Sequence, residues 1–181
     1  MRDFGPFDSL EYGERGDLLD AGSLWLPLVP EASVHFSVTQ ETNTVMAVGY
    51  TLNDSALQLQ PYAAPRSAGI WKHVCLDMQT SLAEQGGRST KSEGEYGWEL
   101  LAHVPTPQGV LVPQRFIGVD GARWMLKASI SGPAAVNDDL AAPLIAILRR
   151  VVVDRGQEPH PPRELLPMIV PRIDAQSSSH E

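Results

Sequence analysis

The sequence predicts an α+β fold in which a twisted, mostly antiparallel sheet of six to seven strands carries two main helices. Apolar and polar side chains alternate at residues 34–39, the period-2 pattern of a strand with one buried face. Two other segments repeat apolar residues every three to four positions, which is the spacing of amphipathic helices. The regular strand–helix alternation of parallel βαβ units is not visible, so the sheet is predicted to be antiparallel.

The first half of the chain predicts strands that follow one another closely. Residues 23–29 form a short apolar run that Pro27 and Pro30 restrict to an edge strand or a strand end. Residues 34–39, 45–52 and 55–62 then read as three strands, with Asn53 and Asp54 at the second turn. These three strands predict an antiparallel meander.

A first helix is predicted to begin near Ala68, with the Ser67 side chain capping its free amides. It ends at Gly86-Gly87, a usual helix stop. Its apolar stripe predicts that it covers one face of the sheet. The stripe consists of Ile70, Trp71, Val74, Cys75, Met78 and Leu82.

The second half predicts three more strands, at residues 96–104, 110–119 and 123–131. Asp120-Gly121 lies between the last two, and this dipeptide predicts a hairpin with a two-residue type I′ turn. A second helix is expected after Asn137. Because proline is poorly tolerated inside a helix, its regular part is predicted to start with Pro143 in the first turn.

We therefore divide the chain into four parts. Residues 1–22 are predicted to be an extended N-terminal arm and residues 23–156 a single α+β domain. Residues 157–174 are rich in proline but too apolar for a free tail, so we expect them to lie extended on the body. Residues 175–181 are predicted to be disordered.

Composition excludes several classes of function. The chain has 181 residues, of which 43% are hydrophobic, and this suits one domain with a substantial core. Its net charge of −8 makes nucleic acid an unlikely partner, because the basic cluster of Arg149, Arg150 and Arg155 is interrupted by acidic residues. No apolar run is long enough to insert into a membrane. A single cysteine, Cys75, predicts a reducing, cytoplasmic location.

No motif for catalysis, phosphate binding or metal binding is present. A hydrolase needs a nucleophile, a base and an orienting group, whereas His35 and His103 fall on the polar side of predicted strands and His73 on the flank of a helix, as solvated histidines do. Glycine spacings of nucleotide-binding loops are absent, as are His pairs and calcium-type loops. We therefore predict no cofactor and no metal, and Cys75 is expected to be an inert core residue.

Arg66 is the residue that best predicts a binding site. It stands beside the predicted helix start, where backbone amides and the helix dipole favour an anion. Gln58 and Gln60 of the preceding strand, with Arg115 and Arg123 of the later hairpin, could complete a carboxylate or phosphate pocket. The alternative interpretation pairs Arg66 with a structural carboxylate, Asp54 or Glu99.

Trp124 is the second candidate site residue. It follows Arg123 at the start of a predicted strand, and Trp and Arg are enriched at binding surfaces. One interpretation makes Trp124 an exposed anchor for a partner. The other makes it a core residue, as expected for Trp25, Trp71 and Trp98 as well.

Several segments together resemble an uncharacterised actinobacterial family, domain of unknown function 3710, over roughly residues 5–171. They are residues 19–24, the stretch SALQLQPYAAPRS at 55–67, residues 69–71, 115–121, 123–124 and 151–156. This resemblance implies no activity, cofactor or site residue. The order of strands and helices is also similar to the PsbP-like sandwich, a scaffold of adaptors and binding modules, which is an analogy of fold alone.

The sequence leaves two functions open. The favoured prediction is a non-catalytic adaptor or regulatory domain that binds a protein partner through the sheet edge, the proline-rich tail or the Trp124 hairpin. The alternative is a binding protein or enzyme for a small anion, centred on Arg66.

Overall fold

A seven-stranded antiparallel sheet forms the centre of the computed structural model, which describes residues 4–66 and 69–171. Every neighbouring pair in it is antiparallel, in the order β4-β5-β6-β10-β9-β8-β7. The predicted α+β class, with six to seven strands, is therefore confirmed. Its strands are β4 (Ser33–Thr39), β5 (Thr44–Leu52), β6 (Ser55–Ala63), β7 (Arg88–Gly94), β8 (Gly97–Pro105), β9 (Leu111–Asp120) and β10 (Trp124–Ser131).

A second, smaller sheet was not predicted. It has four strands of two or three residues in the order β1-β11-β3-β2, and β1 runs parallel to β11. Residues expected to form an extended N-terminal arm supply two of these strands. The strands are β1 (Phe7–Asp8), β2 (Leu19–Asp20), β3 (Leu24–Leu26) and β11 (Val152–Val153), and a short helix α1 (Ser9–Tyr12) follows β1.

The two main helices pack on opposite faces of the large sheet. Helix α2 (Trp71–Glu84) lies on β7, β8 and β9, and its core contains Trp71, Cys75 and Phe116. Helix α3 (Asp138–Leu148) and the small sheet cover the other face, where the larger core lies. Neither these helices nor any other in the described residues is long and apolar enough to cross a membrane.

Both helices begin elsewhere than predicted. Ser67 and Ala68 lie outside the described residues, and regular helix starts at Trp71, with Ile70 at the N-cap position. Helix α3 starts at Asp138, five residues before Pro143, because the Asn137 side chain accepts hydrogen bonds from the first turn. Pro143 in the second turn lacks the N–H that would bond the carbonyl four residues back, and the helix nevertheless continues through it to Leu148.

The hairpin between β9 and β10 is present, but its turn differs from the prediction. Three residues separate the two strands, Gly121 N donates to the Trp124 carbonyl at 2.8 Å, and Arg123, with φ of 67°, takes the left-handed conformation. Gly121 is needed for a different reason than positive φ, since a β-carbon there would overlap the indole ring of Trp124. The tip of the hairpin is therefore formed by Ala122 and Arg123, two positions beyond the predicted Asp120-Gly121.

The proline-rich segment joins the two sheets. Where β5 diverges from β6, residues 163–166 take its place and form three backbone hydrogen bonds with residues 61–63. Further on, Met168 bridges to Gly22 beside the small sheet, and Leu166 is fully buried. We name residues 163–168 the strap. The predicted disordered residues 175–181 lie outside the described residues.

Candidate functional site

The most ligand-like concavity is a groove beside α2, with a volume of about 310 Å³. We call it the α2 groove. Its wall is mostly apolar and is formed by Tyr62, Ile70, Val74, Met78 and Met125. Its polar groups are Asp77, Ser81, Lys127 and Arg163.

Strand register and helix period bring these residues together. In the pairing of β6 with β10, Tyr62 lies opposite Met125 and Gln60 lies opposite Lys127, so all four side chains share the face that carries α2. Along α2, groove residues recur three and four positions apart and therefore line one side of the helix. The strap adds Arg163 at the opening.

Lys127 is the distinctive charged group of the groove. Its side chain is half-buried, and this burial lowers the pKa of its ammonium group. Nζ lies 5.8 Å from the centre of the Tyr62 ring, over its face. Lys127 forms no hydrogen bond or ion pair with any described residue. A partly desolvated positive charge therefore faces an apolar groove without an anion beside it.

The opening of the groove carries an ion pair. Arg163 Nη1 lies 2.6 Å from Asp77 Oδ2, and both side chains are about half exposed. Exposed pairs of this kind contribute about 0–1 kcal/mol. A competing carboxylate or phosphate can therefore displace Asp77 from Arg163 at little cost.

The structure does not place Arg66 in an anion site at a helix terminus. Its side chain is exposed and contacts no charged group among the described residues. The first amides of α2 are already occupied, because Asp120 Oδ1 accepts hydrogen bonds from Ile70 N at 2.9 Å and Trp71 N at 3.1 Å. The Asp120 carboxylate thus occupies the start of α2, where the sequence had predicted a bound anion.

Gln58 and Gln60 share the face of β6 that leads to Tyr62, but they do not gather around Arg66. Gln58 is exposed. Gln60 Nε2 donates to the carbonyl of Met46 at 3.1 Å, beside the bulge in the β4–β5 pairing and beyond the last β5–β6 pair, Val48 with Leu59. Gln60 thereby satisfies a backbone acceptor that the sheet ladder leaves unpaired.

Arg115 lies on the opposite face of the sheet, under α3. Its Nε donates to Glu99 Oε1 at 2.6 Å and its Nη1 to Asp138 Oδ1 at 3.1 Å. Glu99 is only 4% exposed, so this pair satisfies a buried carboxylate. The expected alternative, a pairing of Arg66 with Asp54 or Glu99, does not occur among the described residues, and Glu99 pairs with Arg115 instead.

Trp124 belongs to the core and is not an exposed anchor. It is 1% exposed, and its Nε1 donates to Asp8 Oδ2 at 2.8 Å. The neighbouring Arg123 contributes its carbonyl oxygen, which accepts from Ala64 N at 2.9 Å and from Arg155 Nε at 3.1 Å. These hydrogen bonds fix the hairpin tip to the end of β6.

Sequence reasoning missed the groove residues Lys127, Asp77 and Arg163. They come from a strand, a helix and the strap, and no local pattern joins them. One signal was available, since Lys127 is the single charged residue of the otherwise uncharged strand β10. This signal indicates a site only when it is known that Lys127 lies on the face of β10 that carries α2.

Chemistry elsewhere in the described residues is limited. Groups of three or more His, Cys, Asp or Glu residues that could hold a metal ion do not occur there. Cys75 is buried in the core beneath α2, where burial raises the pKa of its thiol. The groove therefore offers shape and positive charge, which are the properties of a binding site.

Comparison with known proteins gives a family and no function. No curated protein and no solved structure matches this chain. One family model, described as "Protein of unknown function (DUF3710)", matches residues 5–177. That match spans both sheets, both main helices and the strap, and the chain accordingly belongs to the DUF3710 family.

Proposed function

We propose that this protein binds a small amphipathic anion in the α2 groove. The observation that supports this proposal is Lys127, whose half-buried ammonium faces the groove without an anionic partner among the described residues. An apolar pocket with few convergent polar groups is the usual form of a small-molecule site. The proposed anion site is therefore the α2 groove and not Arg66, where the sequence had predicted it.

Size and charge define the ligand. The volume of about 310 Å³ lies at the lower end of the range for ligand pockets, so it suits a compact aromatic or branched aliphatic body. A carboxylate on that body would accept from Lys127 and reach Arg163 at the opening. Charge-assisted hydrogen bonds of this kind contribute about 1.5–3 kcal/mol each.

The function that we propose is ligand binding, and we expect it to take place in the cytoplasm. Asp77, the carboxylate of the groove, already pairs with Arg163, and none of the described residues that line the groove is a histidine or cysteine. A reducing compartment suits the single unpaired cysteine, Cys75. The net charge of −8 also favours a small ligand over a polyanion.

A carboxylate panel tests the proposal. Compounds such as phenylacetate, indole-3-acetate and 4-methylpentanoate are compared with their neutral primary amides by calorimetric titration. We expect carboxylates to bind at least about tenfold more tightly than the matched amides, because only they neutralise Lys127. In Lys127→Met, which keeps the length of the side chain, this preference should disappear.

Lys91 provides a matched control. Its Nζ also lies over an aromatic ring, 4.7 Å from the centre of Trp98, but on β7 and away from the groove. Lys91→Met removes the same charge from the same kind of contact and should leave the carboxylate preference intact. Equal carboxylate affinities for Lys127→Met and the wild type, or no binding across the panel, would refute the proposal.

A second candidate function, partner binding by an adaptor domain, is favoured by one specific observation. Of the three surfaces that the sequence suggested, Trp124 is buried, and the proline-rich tail is bonded to the body through the strap. The edge strand β4 remains, and it contains no Asp, Glu, Lys or Arg.

A further inference from the structure

The two edges of the large sheet differ in charge. Strand β7 carries Arg88, Lys91 and Glu93, and charged edge residues discourage pairing with another strand. Strand β4 (Ser33–Thr39) has seven residues and contains no Asp, Glu, Lys or Arg. Within the described residues β4 pairs with β5 alone, so its outer backbone donors and acceptors are left for water or another strand.

Side chains of β4 are arranged as in a strand that continues a sheet. Val34 and Phe36 pack against the larger core, while His35 and Ser37 point to the other face and are exposed. At the far end a bulge leaves Val38 and Met46 each 40% exposed. An added strand would cover these apolar atoms and extend both faces.

Acidic residues flank the uncharged strand on both sides. Glu31 precedes β4 and Glu41 follows it, and both are exposed without an ion pair among the described residues. In an antiparallel pairing of two copies centred on Phe36, Glu31 of one would face Glu41 of the other. A parallel pairing would bring identical acids together, and like charges directly opposite are destabilising. Self-association through β4 is therefore disfavoured.

We propose that β4 receives an extended segment of a different protein, which adds an eighth strand through backbone hydrogen bonds. Charge complementarity defines this segment: an uncharged stretch of about five to seven residues with Lys or Arg at each end, opposite Glu31 and Glu41. The inference goes beyond the α2 groove and does not depend on it, because β4 and the groove share no residue.

A random dodecapeptide display library, selected on the intact chain, tests the inference. We expect enriched peptides to have an uncharged, β-prone middle and basic residues at both ends. Synthetic copies should protect the amides of residues 33–39 from hydrogen exchange. Absence of any enriched peptide, or protection at residues 88–94 instead, overturns the inference.

Charge reversal separates β4 from a general electrostatic effect. The variant Glu31→Lys/Glu41→Lys should bind Lys-flanked peptides roughly tenfold more weakly and should gain affinity for the same peptides with Glu at their ends. The control Glu84→Lys/Glu93→Lys makes the same change in net charge near β7 and should change affinity less than about twofold. Equal losses in both variants would assign binding to net charge and overturn the inference.

The two proposals fail independently. Lys127→Met should leave peptide affinity unchanged, and the double reversal at Glu31 and Glu41 should leave carboxylate binding unchanged. Peptide affinity that falls in Lys127→Met would contradict the separation of the two sites.

Discussion

Replacing Trp124 by phenylalanine tests how the N-terminal residues are held to the body. The indole Nε1 donates to Asp8 Oδ2 at 2.8 Å, and the two residues are 1% and 8% exposed. Loss of a hydrogen bond to a carboxylate costs about 1.5–3 kcal/mol. The smaller phenyl ring leaves a cavity, which adds about 1 kcal/mol. We therefore expect the free energy of unfolding to fall by about 3 kcal/mol.

Urea denaturation followed by circular dichroism measures this change, and the melting temperature should fall by roughly 6–12 °C. Trp98→Phe is the control, because Trp98 is 44% exposed and its replacement should cost at most about 0.5 kcal/mol. A double-mutant cycle with Asp8→Asn should give a coupling of at least about 1 kcal/mol. A loss below 1 kcal/mol in Trp124→Phe would refute the assignment of this pair as a main attachment of the N-terminal segment.

Three further predictions concern the helix start, the hairpin and the groove. Asp120→Ala removes the acceptor of the first amides of α2 and should lower the free energy of unfolding by about 1–2 kcal/mol in urea titrations, whereas a loss under about 0.3 kcal/mol would contradict the capping role. Gly121→Ala should cost more than about 1 kcal/mol in the same assay, because the added methyl overlaps the Trp124 ring. Carboxylate affinity in calorimetry should fall as pH rises through the pKa of Lys127, which burial holds below its ordinary value of 10.5, since only the ammonium form attracts the anion. Affinity that stays constant up to pH 10.5 would contradict that assignment.

Where information is local, the sequence predicts the fold well. Period-2 alternation identifies β4, and Asp120-Gly121 marks the β9–β10 hairpin, because neighbours along the chain determine both. The start of α2 is different. Its capping carboxylate, Asp120, stands 50 positions away from Ile70, and no pattern near residue 70 reveals it.

The small sheet escapes prediction for a physical reason. Its strands have two or three residues, too few to show a period, and β1 pairs with a strand from the other end of the chain. Long-range pairing of such short segments is stable only because the surrounding core orders them. The α2 groove escapes for the same reason, since Tyr62, Lys127 and Arg163 meet only in the folded chain.

The strap has a consequence for how the protein unfolds. It forms backbone hydrogen bonds with β6 at residues 61–63 and, through the carbonyl of Pro167, with Ser23 beside the small sheet. The small sheet cannot separate from the large one while both attachments hold, so the two should melt in a single cooperative transition. Arg163 belongs to the same segment, so a molecule that binds Arg163 in the groove also contacts the segment that connects the two sheets. Occupancy of the groove should therefore slow hydrogen exchange in β3, far from the bound molecule.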